Sequence, residues 1–119
     1  MPRAIDGTRR KDRRKKILGL AKGYWGKRSK LFRTAKDQVM KSLTYAYRDR
    51  HNKKRDFRSL WIARISAACR SEGITYSRFI NGLLKSQVII NRKALSNLAI
   101  EDPNAFKALV AKAKEALEV

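Results

Sequence analysis

The sequence predicts an all-α protein in two parts: a long, kinked, basic helical arm over residues 1–59 and a small compact helical bundle over residues 60–119. Three observations predict it. Gly and Pro are absent from Lys30 to Arg58, so nothing there interrupts a helix. Three later segments each open on a helix-capping residue followed by apolar residues at helical spacing. The charge is also uneven, because residues 1–59 hold 21 basic and 5 acidic side chains, net +16, whereas residues 60–119 hold 9 and 5, net +4.

Thr8 is placed to cap a first helix that runs through Arg9, Arg10, Lys11, Arg13, Arg14, Lys15 and Lys16 to about Ala21, with Ile17, Leu18, Leu20 and Ala21 as its apolar cluster. Gly23-Tyr24-Trp25-Gly26 sets two flexible points around two large aromatics, where the chain changes direction, and Ser29 is placed to cap a second helix. In that helix Phe32, Ala35, Val39, Leu43 and Ala46 fall in a stripe roughly 80° wide, narrower than the ~100° face of a helix packed on a globular core. Asp37/Lys41 and Asp49/Lys53 are i,i+4 pairs, each adding a few tenths of a kcal/mol to helicity. After Tyr47 the stripe ends and cations dominate, so this half lacks the apolar surface to hold itself in place. Leu60, Trp61, Ile62, Ile65, Ala68 and Cys69 then form an apolar face on a continuation that stops near Gly73. Unbroken from Lys30 to Glu72, such a helix is roughly 65 Å long.

Three short helices complete the chain. Thr75 precedes Phe79, Ile80, Leu83 and Leu84; Asn91 precedes Leu95, Leu98 and Ala99; Asp102-Pro103 precedes Phe106, Leu109, Val110, Ala113 and Leu117, with Pro at the favoured first position. Trp61, Ile65, Phe79, Leu83, Phe106 and Leu109 are expected in the core of the resulting four-helix cluster, with Val88-Ile89-Ile90 as a buried connector.

Composition excludes several classes of function. A single Cys69 allows no internal disulfide framework and no four-Cys zinc site. The apolar runs are only a few residues long, far below the ~20 that cross a bilayer, and Met1-Pro2-Arg3 lacks the apolar core of a signal peptide. A cytosolic or organelle-interior protein in a reducing compartment is expected. His51 is the only histidine, and Asp6, Asp12, Asp37, Asp49 and Asp56 are scattered among bases, so no metal, cofactor, small-molecule substrate or catalytic constellation is expected. Gly26-Lys27-Arg28-Ser29 fails as a phosphate-binding loop, since position 21 is Ala and no strand precedes it.

A net charge of +20 calls for a polyanionic partner, nucleic acid first and an anionic membrane surface second. The narrow apolar stripe disfavours the membrane. Arg3, Arg9, Arg10, Arg13, Arg14, Lys15, Lys16, Lys22, Lys27, Arg28, Lys30, Arg33, Arg48, Arg50, His51, Lys53, Lys54, Arg55 and Arg58 are the expected phosphate contacts. Tyr24, Trp25, Phe32, Tyr45 and Tyr47 are interleaved with them, a pattern that suits stacking on unpaired bases. For Phe32 packing is the better reading, and for Tyr24 and Trp25 packing and stacking stand level. The arm is expected to fluctuate in dilute buffer and to become helical on its partner.

The runs Ala21-Lys22-Gly23-Tyr24-Trp25-Gly26, Tyr45-Ala46-Tyr47-Arg48-Asp49-Arg50, Lys53-Lys54-Arg55-Asp56-Phe57-Arg58 with Leu60-Trp61-Ile62, and Tyr76-Ser77 with Phe79-Ile80-Asn81-Gly82-Leu83 closely resemble the L-twenty family of bacterial large-subunit ribosomal proteins. The resemblance covers essentially the whole chain. It implies a constituent of the large subunit, in a bacterial or organellar ribosome, that binds 23S rRNA directly, acts early in assembly and meets neighbouring ribosomal proteins. It implies further that Gly23 to Lys30 and Arg48 to Arg58 contact rRNA, and that Tyr76, Ser77 and Asn81 lie on or near the RNA-facing side of the compact domain. In some bacteria such a protein binds its own messenger. A messenger-binding repressor acting through residues 60–119 is therefore the alternative, with a DNA-architectural role third.

Overall fold

The computed structural model describes residues 7–118, and among them there are helices and no strands. Five α-helices follow one another: α1 (Arg9–Leu20), α2 (Phe32–Ser71), α3 (Tyr76–Lys85), α4 (Arg92–Glu101) and α5 (Pro103–Glu118), with a short 3-10 turn, Gly26–Ser29, between the first two. The all-α expectation is met, and α2 runs unbroken for 40 residues. The chain divides into two compact units, Met1–His51 and Asn52–Val119, with the division inside α2.

In the first unit the seam is small. Ala21, Ala35 and Val39 are buried, and Leu18 and Tyr24 pack against them. The expected stripe on α2 is covered only in part: Phe32 is half-buried, Leu43 is 59% exposed and Ala46 is exposed. The reason is length, since α1 has 12 residues, about 18 Å at 1.5 Å per residue, and cannot shield a longer helix beyond its own end. Two expected caps are absent. Thr8 has helical rather than extended backbone angles and makes no capping hydrogen bond. Ser29 lies inside the 3-10 turn, where its hydroxyl donates to the Gly26 carbonyl at 3.0 Å, three residues before α2 begins. Positive φ at Gly23 (84°) and Gly26 (61°) allows the reversal between them.

The second unit has a larger core, in which Ile65, Cys69, Ile74, Phe79, Leu83, Leu95, Phe106, Val110 and Ala113 form one buried cluster. Phe79 and Phe106 pack with tilted rings, centroids 5.3 Å apart. Helix ends set the turns between these elements. At the end of α2, Gly73 takes φ 72°, its N–H reaches the Arg70 carbonyl at 3.1 Å, and the Ile74 N–H reaches the Cys69 carbonyl at 3.0 Å. This double bond pattern, with Ile74 and Cys69 both in the core, is a Schellman closure. The end of α3 repeats it without glycine: Gln87 takes φ 55°, its N–H bonds Leu84 at 3.1 Å, and the Val88 N–H bonds Leu83 at 3.0 Å. Asn91 caps α4 by accepting from the Ala94 N–H at 2.8 Å, and Asp102 caps α5 by accepting from the Ala105 N–H at 3.1 Å. Thr75 has extended angles ahead of α3, yet its hydroxyl makes no capping bond. Lys114 Nζ donates to the Glu72 carbonyl at 2.7 Å, satisfying an acceptor at the end of α2, and Lys107 stands 3.7 Å from the Glu72 carboxylate.

Two core expectations are corrected, for Trp61 and for the connector Val88-Ile89-Ile90. Trp61 is only half-buried and lies outside the cluster; it tilts against Phe57 at 6.2 Å, because the core covers α2 only from Ile65 onward. Leu84 is 77% exposed, on the side of α3 away from Phe79 and Leu83. The connector Val88-Ile89-Ile90 is not buried as a whole: Val88 and Ile90 pack on the core, whereas Ile89 points outward, 99% exposed. Burial pushes the Cys69 thiol up to about 11, so it stays protonated and inert at neutral pH.

Three substitutions test these elements. A Cβ on Gly82 collides with the Ala113 carbonyl on α5, so Gly82→Ala is expected to cost about 1–3 kcal/mol and to lower the urea midpoint; Gly19, whose added Cβ meets nothing within 4 Å, is expected to gain helicity on change to Ala, by up to about 1 kcal/mol. Gln87→Gly relieves a left-handed residue that carries a side chain and is expected to stabilise the second unit by about 1 kcal/mol in the same titration.

Candidate nucleic-acid interface

Helix α1 presents a dense set of cations because its apolar residues cluster at one end. Arg9, Arg10, Arg13, Arg14, Lys15 and Lys16 are all exposed. Arg10, Arg13, Arg14 and Lys16 from α1 meet Lys36 from α2 around a cleft of about 510 Å³ floored by Ile17 and Phe32. The Arg14 guanidinium stands over the Phe32 ring, 5.4 Å from its centroid. Phe32, expected to pack, is thus half-buried beneath a cation. Arg3 lies outside the described residues.

The turn between α1 and α2 separates the two aromatics that sequence reasoning left level. Tyr24 packs on the seam, and its hydroxyl donates to Ser42 Oγ at 2.8 Å, which fixes the turn against α2. Trp25 is 90% exposed and free to stack. Lys22, Lys27, Arg28 and Lys30 around them, and Arg33 at the start of α2, are all exposed.

Along α2 the cations use aromatic faces more than carboxylates. Lys41 Nζ and the Arg48 guanidinium stand over Tyr45 at 5.8 and 4.7 Å, and Lys53 Nζ stands over Phe57 at 5.9 Å. The expected Asp49/Lys53 pair is replaced by Arg48–Asp49 at 2.9 Å, since the longer Arg48 side chain reaches its neighbour and Lys53 lies on Phe57. Both partners of that pair are more than half exposed, so it contributes under about 1 kcal/mol. His51 sits edge-on to Tyr47, 4.7 Å between centroids, and Arg55 donates to Asn52 Oδ1 at 3.0 Å. Arg48, Arg50, His51, Lys53, Lys54, Arg55 and Arg58 all remain exposed.

In the second unit, Ser77 and Asn81 lie exposed one turn apart on α3. Tyr76 is different: its ring packs on the core and its hydroxyl accepts from Arg92 Nε at 2.8 Å. Sequence reasoning missed Lys36, the Phe57–Trp61 pair and Arg92. The i,i+4 spacings Phe32/Lys36 and Phe57/Trp61 carry a signal for the first two, whereas the Tyr76–Arg92 bond needs the fold. Among the described residues no group of three His, Cys, Asp or Glu is placed to hold a metal ion, and no helix is long and apolar enough to cross a membrane.

Exposed cations with interleaved aromatics therefore extend over α1, the turn and most of α2. Comparisons with known proteins agree on one family. Residues 3–109 match the family model described as Ribosomal protein L20. The chain is 62% identical over 117 residues to the large ribosomal subunit protein bL20 of Carboxydothermus hydrogenoformans, covering 98% of this chain and 100% of that protein. Identity to the protein of the same name from Natranaerobius thermophilus is 59% over 117 residues, with the same coverage. The Staphylococcus epidermidis protein is 58% identical over 118 residues, 99% of this chain and 100% of its own length. With a family model over nearly its whole length and relatives this similar, the chain belongs to the ribosomal protein L20 family.

Proposed function

We propose that this protein is a structural constituent of the large ribosomal subunit that binds 23S rRNA directly and promotes early subunit assembly. The observation that carries the reading is the exposed cationic surface of α1, the turn and α2 in a member of this family. Residues 1–59 act as the rRNA-penetrating arm and residues 60–119 as the compact rRNA-binding domain. The mechanism is electrostatic rather than catalytic. The compact domain docks through a surface that includes Ser77 and Asn81, with Tyr76 and Arg92 bracing it from behind. The arm then replaces condensed counterions with Lys and Arg at fixed spacing, which lowers the repulsion between RNA helices as they crowd together. Trp25, Tyr45 and Tyr47 add stacking on unpaired bases. Neighbouring large-subunit proteins are its other partners, and the ribosome is its place of action, in the cytoplasm of a bacterium.

Binding to a 23S rRNA fragment is expected to weaken steeply with salt. Triple replacement of Lys53, Lys54 and Arg55 by Ala is expected to make the slope of log K against log salt shallower by roughly 2–3 units, by the counterion rule of ~0.7–0.9 per phosphate contact. A filter-binding series from low to moderate salt reads this, and wild-type binding that ignores salt refutes the proposal. The seam of two alanines and one valine is too small to hold residues 1–59 against their own charge, so circular dichroism of that fragment is expected to show partial helix alone and full helix with rRNA. Full, stable helix without RNA removes the coupled-folding step.

A further inference from the structure

The cleft between α1 and α2 has two properties that a purely electrostatic phosphate surface does not need. Its rim is cationic, with Arg10, Arg13, Arg14 and Lys36 and, among the described residues, no carboxylate, while its floor is apolar, formed by Ile17 and Phe32. The Arg14 guanidinium is also held over the Phe32 ring at 5.4 Å, which limits its rotamers before any ligand arrives.

A double helix does not match that combination. It offers a protein its anionic backbone and keeps the base faces stacked inside, so it would satisfy the rim and leave the apolar floor against hydrated phosphate. An unpaired nucleotide offers both halves: a planar base with apolar faces, and a phosphodiester on either side of it.

We propose that this cleft binds one unpaired nucleotide of the rRNA, its base against Phe32 and Ile17 and its flanking phosphates on Arg10, Arg13 and Lys36. The base takes the place of the Arg14 guanidinium over the Phe32 ring, and the released planar fork takes a phosphate through two parallel hydrogen bonds. The assignment rests on the rRNA-binding reading and deepens it: α1 and the start of α2 recognise a strand that is not base-paired, while the cations of α2 beyond Tyr47 have no such floor and take phosphates of any geometry.

The test uses the full chain at fixed ionic strength. A single-stranded RNA tetranucleotide carrying 2-aminopurine and a short RNA duplex with the same number of phosphates are titrated against the wild type, Phe32→Leu and Phe32→Trp. Leucine keeps most of the apolar bulk at this position and removes the aromatic face; tryptophan enlarges that face. Helix content by circular dichroism verifies that each variant is folded. Phe32→Leu is expected to weaken the single strand about five- to tenfold more than the duplex, and Phe32→Trp to shift the ratio the other way, with the 2-aminopurine signal following occupancy. Equal changes for both RNAs, or none for either, overturn the nucleotide assignment. Vesicles containing phosphatidylserine form the third arm: Phe32 variants that alter vesicle binding and leave the RNA ratio unchanged overturn it in favour of a lipid surface. A wild type that binds 23S rRNA while its Phe32 variants show no strand preference sinks this inference alone, whereas a wild type that does not bind 23S rRNA sinks the proposed function.

Discussion

Twenty-one cations and five carboxylates share the first 59 residues, so most neighbouring charges repel one another at separations shorter than the ~8 Å Debye length of physiological salt. The structure answers that repulsion locally. With too few carboxylates to go round, Arg14, Lys41, Arg48 and Lys53 lie over the rings of Phe32, Tyr45 and Phe57, where the negative face of each ring offsets part of a positive charge. The same contacts restrict long side chains that otherwise lose freedom on meeting a phosphate. Phe32, Tyr45 and Phe57 therefore hold cations, whereas Tyr24 packs on the seam.

The second unit is held by other means. Its buried cluster draws on α2, α3, α4 and α5, and α3 approaches α5 so closely at Gly82 and Ala113 that no side chain fits between the backbones. Its corners are fixed by helix endings rather than by long loops. Two Schellman closures and two side-chain caps turn the chain three times, and Asp102 ends one helix while capping the next. A unit of this size gains from such endings, because every buried carbonyl or N–H left open would cost about as much as a lost side-chain contact.

Much of this was legible in the sequence, and the exceptions share a cause. Helix positions follow from periodicity and from Gly and Pro, which act locally; Asn91, Asp102-Pro103 and Gly73 each did what their residue types predict. Thr8 and Ser29 did not, because a capping hydroxyl is only as useful as the backbone angles it sits on, and a 3-10 turn took over the segment before α2. Trp61 and Leu84 fall on periodic apolar positions that the buried core does not include, and spacing alone does not reveal how far along a helix its partners extend. Gln87 in a left-handed conformation carries no sequence signal, since that position usually holds glycine. The exposed cations were readable one by one; the cleft was not, because Lys36 and Phe32 come to Arg14 only when α1 folds back on α2.

The bond from Lys114 to the Glu72 carbonyl bears on the order in which the protein matures during its own synthesis. The first unit has every partner of its seam once the chain has grown past Ser42, whereas the end of α2 and the Gly82 side of α3 wait for residues 106–114. A nascent chain thus exposes its cationic half, in contact range of polyanions, well before the other half can close. Folding of the carboxyl-terminal unit is a late event that waits until α5 has been made.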